Sequence, residues 1–145
     1  MHGLMLPITL ATIGIAALIN VWLGIRTIRV RFSDRVALGD GGNSKLLARM
    51  RAQANFIEYT PIVLLLIGGI ELVRGPSTLL GVAAVVFLIG RLLHPFGMEG
   101  RLWPRQVGMI TTLTITALLA GYAILISHSP DPRTIEAPAP AVMTG

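Results

Sequence analysis

Four apolar runs, each long enough to cross a bilayer, constrain this chain more than any other feature. Residues 4–25 carry no charged side chain, and a helix of that length, rising ~1.5 Å per residue, covers a hydrocarbon core of ~30 Å. Further runs occupy 45–73, 77–98 and 107–127, separated by short polar or basic breaks. Backbone in lipid must satisfy its own hydrogen bonds, so such runs fold as helices that turn their polar groups toward one another. The expected fold is all-α: a four-transmembrane-helix bundle over residues 1–127, followed by a mobile tail over 128–145 that is rich in Pro and Ala and has no apolar period.

Composition agrees. Hydrophobic residues make up 53% of the 145, the mean hydropathy is +0.73, and only 13% are charged, about half the share of a soluble domain. No basic stretch precedes the first run and no A-x-A-like site closely follows it, so it is expected to be a retained span. Cysteine is absent, which excludes a disulfide framework, a protein thiolate nucleophile and a thiolate metal site. Thiol chemistry would need a thiol brought by a substrate. The net charge of +5 does not point to nucleic acid, because the cations stand at span ends, where snorkelling and topology account for them.

The breaks orient the bundle. Arg26, Arg29, Arg31, Arg35, Lys45, Arg49 and Arg51 surround the first break and Arg91, Arg101 and Arg105 the third, whereas the second holds Arg74 alone. By the positive-inside rule, loops one and three are cytoplasmic and both termini lie on the opposite side. "GDGGNSK", Gly39 to Lys45, lacks the spacing of a phosphate-binding loop and reads as a flexible turn, with Ser44 capping the second span. "VRGPS", Val73 to Ser77, reads as a tight break because Pro76 disfavours helix at Gly75. Glu71 and Arg74, three apart, are expected to form a local ion pair. Tyr122, deep in the fourth span, is expected to pack or to make a helix–helix hydrogen bond, and Trp22 and Trp103 fit interfacial belts.

Arg51, Asn55 and Glu58 stand at i, i+4 and i+7, so they share one helix face. Pro61 removes an amide just beyond them and loosens the helix there. A carboxylate within a span costs ~3 kcal/mol on insertion scales and points into a bundle or a wet cavity. That face reads either as an internal polar site or as hydrogen bonding between helices. A proton-coupled exporter fits less well, since Glu58 sits near a span end and the first span offers only Asn20.

The stretch "RAQANFIEYTP", Arg51 to Pro61, resembles the R-x-x-x-N-x-x-E-x-x-P signature of the membrane-associated proteins in eicosanoid and glutathione metabolism, the MAPEG family. It is most similar to the glutathione-transferase and leukotriene-synthase style, where Tyr follows Glu. Four spans, a basic first loop and "GRLLHPFGM" closing the third span extend the likeness over almost the whole chain. The resemblance implies a homotrimer that binds glutathione as co-substrate between subunits near the cytoplasmic face, with an apolar or lipid-like second substrate arriving among the membrane lipids. By that likeness Arg51, Asn55, Glu58 and Tyr59 contact glutathione, Arg26 and Arg29 match an R-x-x-R at the end of the first span, and Arg91 and His94 match the arginine and histidine of the third. Arg105 stands where the family keeps an arginine proposed to activate the thiol. The implied activity is a glutathione-dependent transferase or peroxidase; the alternative is a non-catalytic lipid-binding or scaffold protein. Phe96 and Met98 stand where some relatives carry tyrosines, which leaves the lipid substrate open.

Overall fold

The computed structural model describes residues 5–128 and places four antiparallel helices in chain order: α1 (Pro7–Ser33), α2 (Ser44–Arg74), α3 (Thr78–Met98) and α4 (Leu102–Ser127). All four are long and apolar enough to span a membrane. The chain is an integral, multi-pass membrane protein with an all-α bundle. Of the tail expected over 128–145, only His128 lies within the described residues.

The sequence runs locate the spans but not their ends. α1 continues past the uncharged run through Arg26, Arg29 and Arg31 to Ser33, because a helix that has left the hydrocarbon does not stop at charge. α4 begins at Leu102, earlier than its apolar run, with Pro104 in its first turn, where the missing amide is one of the unpaired donors of any helix start. The cap of α2 is Asn43, whose Oδ1 accepts from the Leu46 amide at 3.0 Å, and not Ser44, which is already helical. α2 runs on through Pro61 to Gly75, whose positive φ of 79° closes it, and Ser77 caps α3 through the Leu80 amide at 3.2 Å.

A core of Ile19, Leu23, Phe56, Val63, Ile67, Phe87 and Leu88 joins the first three helices, and Leu119 and Ile126 bring in α4. Leu10, Leu18, Leu65, Leu79 and Leu125 face outward, as a lipid-contacting surface requires and a water-facing one would not tolerate.

Glu71 does not form the expected ion pair with Arg74. Its buried carboxylate accepts from the amides of Ile8 and Thr9 at 2.9 and 2.7 Å and from the Thr9 hydroxyl at 2.5 Å. Those amides belong to the first turn of α1, whose donors have no partner within their own helix and whose dipole favours an anion. The end of α2 thus caps the start of α1 across the bundle.

Candidate functional site

Antiparallel order brings the start of α2, the end of α3 and the start of α4 to one membrane face. There Arg51, Ala54, Asn55 and Glu58 of α2, His94 and Met98 of α3, and Arg105 and Met109 of α4 enclose an open pocket of about 300 Å³. Five of the residues singled out from sequence, Arg51, Asn55, Glu58, His94 and Arg105, therefore share one wall. Among the described residues the ion pairs are Arg26–Glu99 and Arg49–Glu99, so Arg51, Glu58 and Arg105 reach the pocket without a partner of opposite charge.

A seam of glycines sets the position of Arg105. A Cβ on Gly97 would lie 2.1 Å from the Arg105 amide nitrogen, and one on Gly108 would lie 2.6 Å from the Gly90 carbonyl and 2.9 Å from the His94 Cβ. Backbone meets backbone here, which only glycine permits. α4 therefore rests directly on α3, with Arg105 at the level of Gly97, one turn beyond His94. Charge and apolar run length assign these glycines no role. Gly90 and Gly97, two turns apart on α3 and so on the same face, were the available signal.

Arg91 lies behind the pocket wall instead of in it. The guanidinium is 1% exposed, donates to Asn55 Oδ1 at 2.8 Å and to Thr112 Oγ1 at 3.2 Å, and sits 5.5 Å from the Phe56 ring centre. Thr112 in turn donates to the Gly108 carbonyl at 2.8 Å. Because Arg91 occupies the Asn55 carbonyl, the Asn55 amide group points the other way, toward Met109 and the pocket, with Nδ2 to Sδ at 4.0 Å. Asn55 is thus held as a donor. Its neighbour on α3, His94, is 4% exposed, and its buried Nδ1 has no hydrogen-bond partner.

A second polar cluster, formed by Arg26, Arg49 and Glu99, stands apart. Arg26 binds Glu99 at 2.6 Å and lies over Trp22, 4.7 Å from the ring centre, with Phe96 at 5.6 Å. Arg49 binds the same Glu99 oxygen at 2.7 Å and also donates to the Arg26 carbonyl at 2.7 Å. Glu99 thus ties the ends of α1 and α3 to the start of α2. Partial burial by itself would raise the Glu99 carboxyl, but the Arg49 hydrogen bond and the charges of Arg26, Arg49 and Lys45 outweigh it and hold the group below the usual carboxylate range. Arg29 is exposed and Tyr59 half-buried, and neither lines the pocket of Arg51 and Arg105.

A family model described as the MAPEG family matches residues 9–125. The inner membrane protein YecN of Escherichia coli (strain K12) is 34% identical over 99 residues, which cover 68% of this chain and 76% of YecN. YecN from Escherichia coli O6:H1 (strain CFT073) matches with the same identity and coverage.

Proposed function

This chain belongs to the MAPEG family, and from that premise we propose that it is a glutathione-dependent membrane transferase or peroxidase. The observation that carries the reading is the convergence of Arg51, Asn55, Glu58, His94 and Arg105 on one open pocket. Two guanidinium groups and one carboxylate give its rim a net charge of +1. Glutathione at neutral pH carries two carboxylates and one ammonium, so ligand and rim are complementary in sign.

In this reading Arg51 takes a glutathione carboxylate, as guanidinium geometry favours. Glu58 takes the ammonium or a backbone amide, and Asn55 donates to a carbonyl. Arg105 faces the sulfur. A guanidinium at ~4 Å contributes about 4 kcal/mol at an effective dielectric of ~20. That magnitude lowers a thiol pKa by up to about three units, from ~8.5 into the range where thiolate dominates at neutral pH. The thiolate then forms a thioether with an apolar electrophile delivered from the bilayer, or attacks the terminal oxygen of a lipid hydroperoxide. The second route breaks the O–O bond to release the lipid alcohol and a glutathione sulfenic acid, which a second glutathione converts to disulfide and water. Arg26 and Arg29 lie outside this pocket; in the proposed homotrimer they would approach it from a neighbouring subunit. The basic first and third loops support a cytoplasmic position for this face.

Calorimetric titration of the detergent-solubilised protein with glutathione tests the proposal. Binding at millimolar concentration or tighter is expected, weakened at least tenfold by Arg51→Ala and, for the ammonium, by Glu58→Gln. Absence of binding at millimolar glutathione would return the chain to the lipid-binding or scaffold reading.

A further inference from the structure

A second cavity, of about 610 Å³, lies at the opposite membrane face, where the α2–α3 turn meets the last turns of α4. Ile70 of α2, Ala83 and Val86 of α3, and Ile115 and Leu119 of α4 give it an apolar body. Its polar wall is Arg74, Ser77 and Tyr122. Arg74 ends α2, Ser77 caps α3, and Tyr122 stands close to the end of α4. All three therefore sit near the headgroup level, with the apolar walls extending inward from them.

Ser77 is engaged by the Leu80 amide, but the other two groups of this wall are left without protein partners for a structural reason. Glu71, the carboxylate nearest to Arg74 along the helix, is buried and bound to the first turn of α1. Among the described residues Arg74 has no acidic partner and the Tyr122 hydroxyl no acceptor. A cation and a free hydroxyl above an apolar slot match an amphiphile with an anionic head. The slot extends along α3 from Ser77 to Val86, about 13 Å at ~1.5 Å per residue, close to the ~15 Å depth of one leaflet's hydrocarbon.

We propose that this cavity seats one acyl chain of an anionic phospholipid, whose phosphate binds Arg74 and accepts a hydrogen bond from Tyr122. A second copy of the chain fits the site less well. Copies that share a membrane orientation present the same groups at the same depth, and Asp34, Asp40, Glu58 and Glu99 lie at the other face or on the helix half nearest it. The one described carboxylate at this depth, Glu71, is already engaged. A zwitterionic headgroup would bring a cation toward Arg74, so the seat selects for net negative charge.

The test uses the full chain in phosphatidylcholine nanodiscs doped with a phosphatidylglycerol that carries a diazirine in its tail, with photolabelled positions mapped by mass spectrometry. Labelling is expected on the α3 and α4 walls of the cavity, at Val86 and Ile115. Arg74→Gln should reduce it about tenfold, the scale of one charge-assisted hydrogen bond, and Ala83→Phe, which fills the slot, should abolish it. Arg101→Gln, at the other face, should leave it unchanged. Arg74 is exposed, so its variant keeps the fold even if Ala83→Phe does not. Equal labelling by a phosphatidylcholine probe with the same tail, or undiminished labelling of Arg74→Gln, would overturn the proposal. A benzophenone amino acid in place of Leu118 that crosslinks to another copy, or to residues 129–145, would overturn it as well.

Discussion

Gly97→Ala is the sharpest perturbation available at the α3–α4 seam. The added methyl would meet the Arg105 amide nitrogen at 2.1 Å and the Arg105 Cβ and Cα at 2.6 and 2.7 Å, against an ordinary contact distance of at least 3.4 Å. Two of these atoms are backbone, so no rotamer change relieves the clash, and α4 must retreat by about 1.3 Å at this level. Overpacking of this kind costs ~1–3 kcal/mol. If Arg105 holds the glutathione sulfur at ~4 Å, the retreat weakens the attraction from about 4 to about 3 kcal/mol at an effective dielectric of ~20. That difference raises the pKa of the bound thiol by roughly 0.7 unit. The assay is a pH titration of thiolate absorbance at saturating glutathione, with helix content and thermal stability recorded on the same samples. Gly121→Ala, which meets nothing within 4 Å, serves as the control and should leave both the thiol titration and the fold intact. A folded Gly97→Ala protein whose bound thiol titrates like wild type would refute the idea that the seam places Arg105 against sulfur.

Other expectations follow from the same geometry. Glu71→Ala leaves the amides of Ile8 and Thr9 without their acceptor and should destabilise the bundle by about 3 kcal/mol, the scale of a lost buried hydrogen-bonded carboxylate, measured by unfolding in mixed micelles. The lowered Glu99 carboxyl adds stability that is present above the ordinary carboxylate pKa and is lost as pH falls through the lower folded value; thermal scans from neutral to acid pH should show this loss in wild type and not in Glu99→Gln. Arg91→Lys keeps a charge but not the paired contacts to Asn55 and Thr112. It should weaken glutathione binding about tenfold while leaving the bound-thiol pKa unchanged, as a positioning residue would.

What could be read from the residues, and what could not, follows from the range of the forces involved. Apolar run length located all four spans, and the i, i+4, i+7 spacing put Arg51, Asn55 and Glu58 on one wall, because both depend on neighbours along a single helix. The partner of a charge across the bundle depends on packing. Glu71 looked like half of a local pair with Arg74, yet its partners lie more than sixty positions away, at the start of α1. Arg26 shares Glu99 with Arg49, a grouping that no spacing in the sequence announces. Arg91 had the right chemical type for a ligand contact, but its burial behind Asn55 is decided by the close approach of α4 at Gly90 and Gly108. Cap identity at α2 turned on one residue, Asn43 or Ser44, within the reach of ordinary boundary variation.

The pocket of Arg51 and Arg105 is proposed to bind glutathione and to hold it as thiolate. The most direct test of this proposal is the ultraviolet difference spectrum of the purified protein on mixing with glutathione at neutral pH, for wild type and Arg105→Ala. A stoichiometric thiolate band is expected in wild type, and Arg105→Ala should lose it while still binding glutathione. A wild-type protein that binds glutathione without forming thiolate, or an Arg105→Ala variant with an undiminished band, would contradict it.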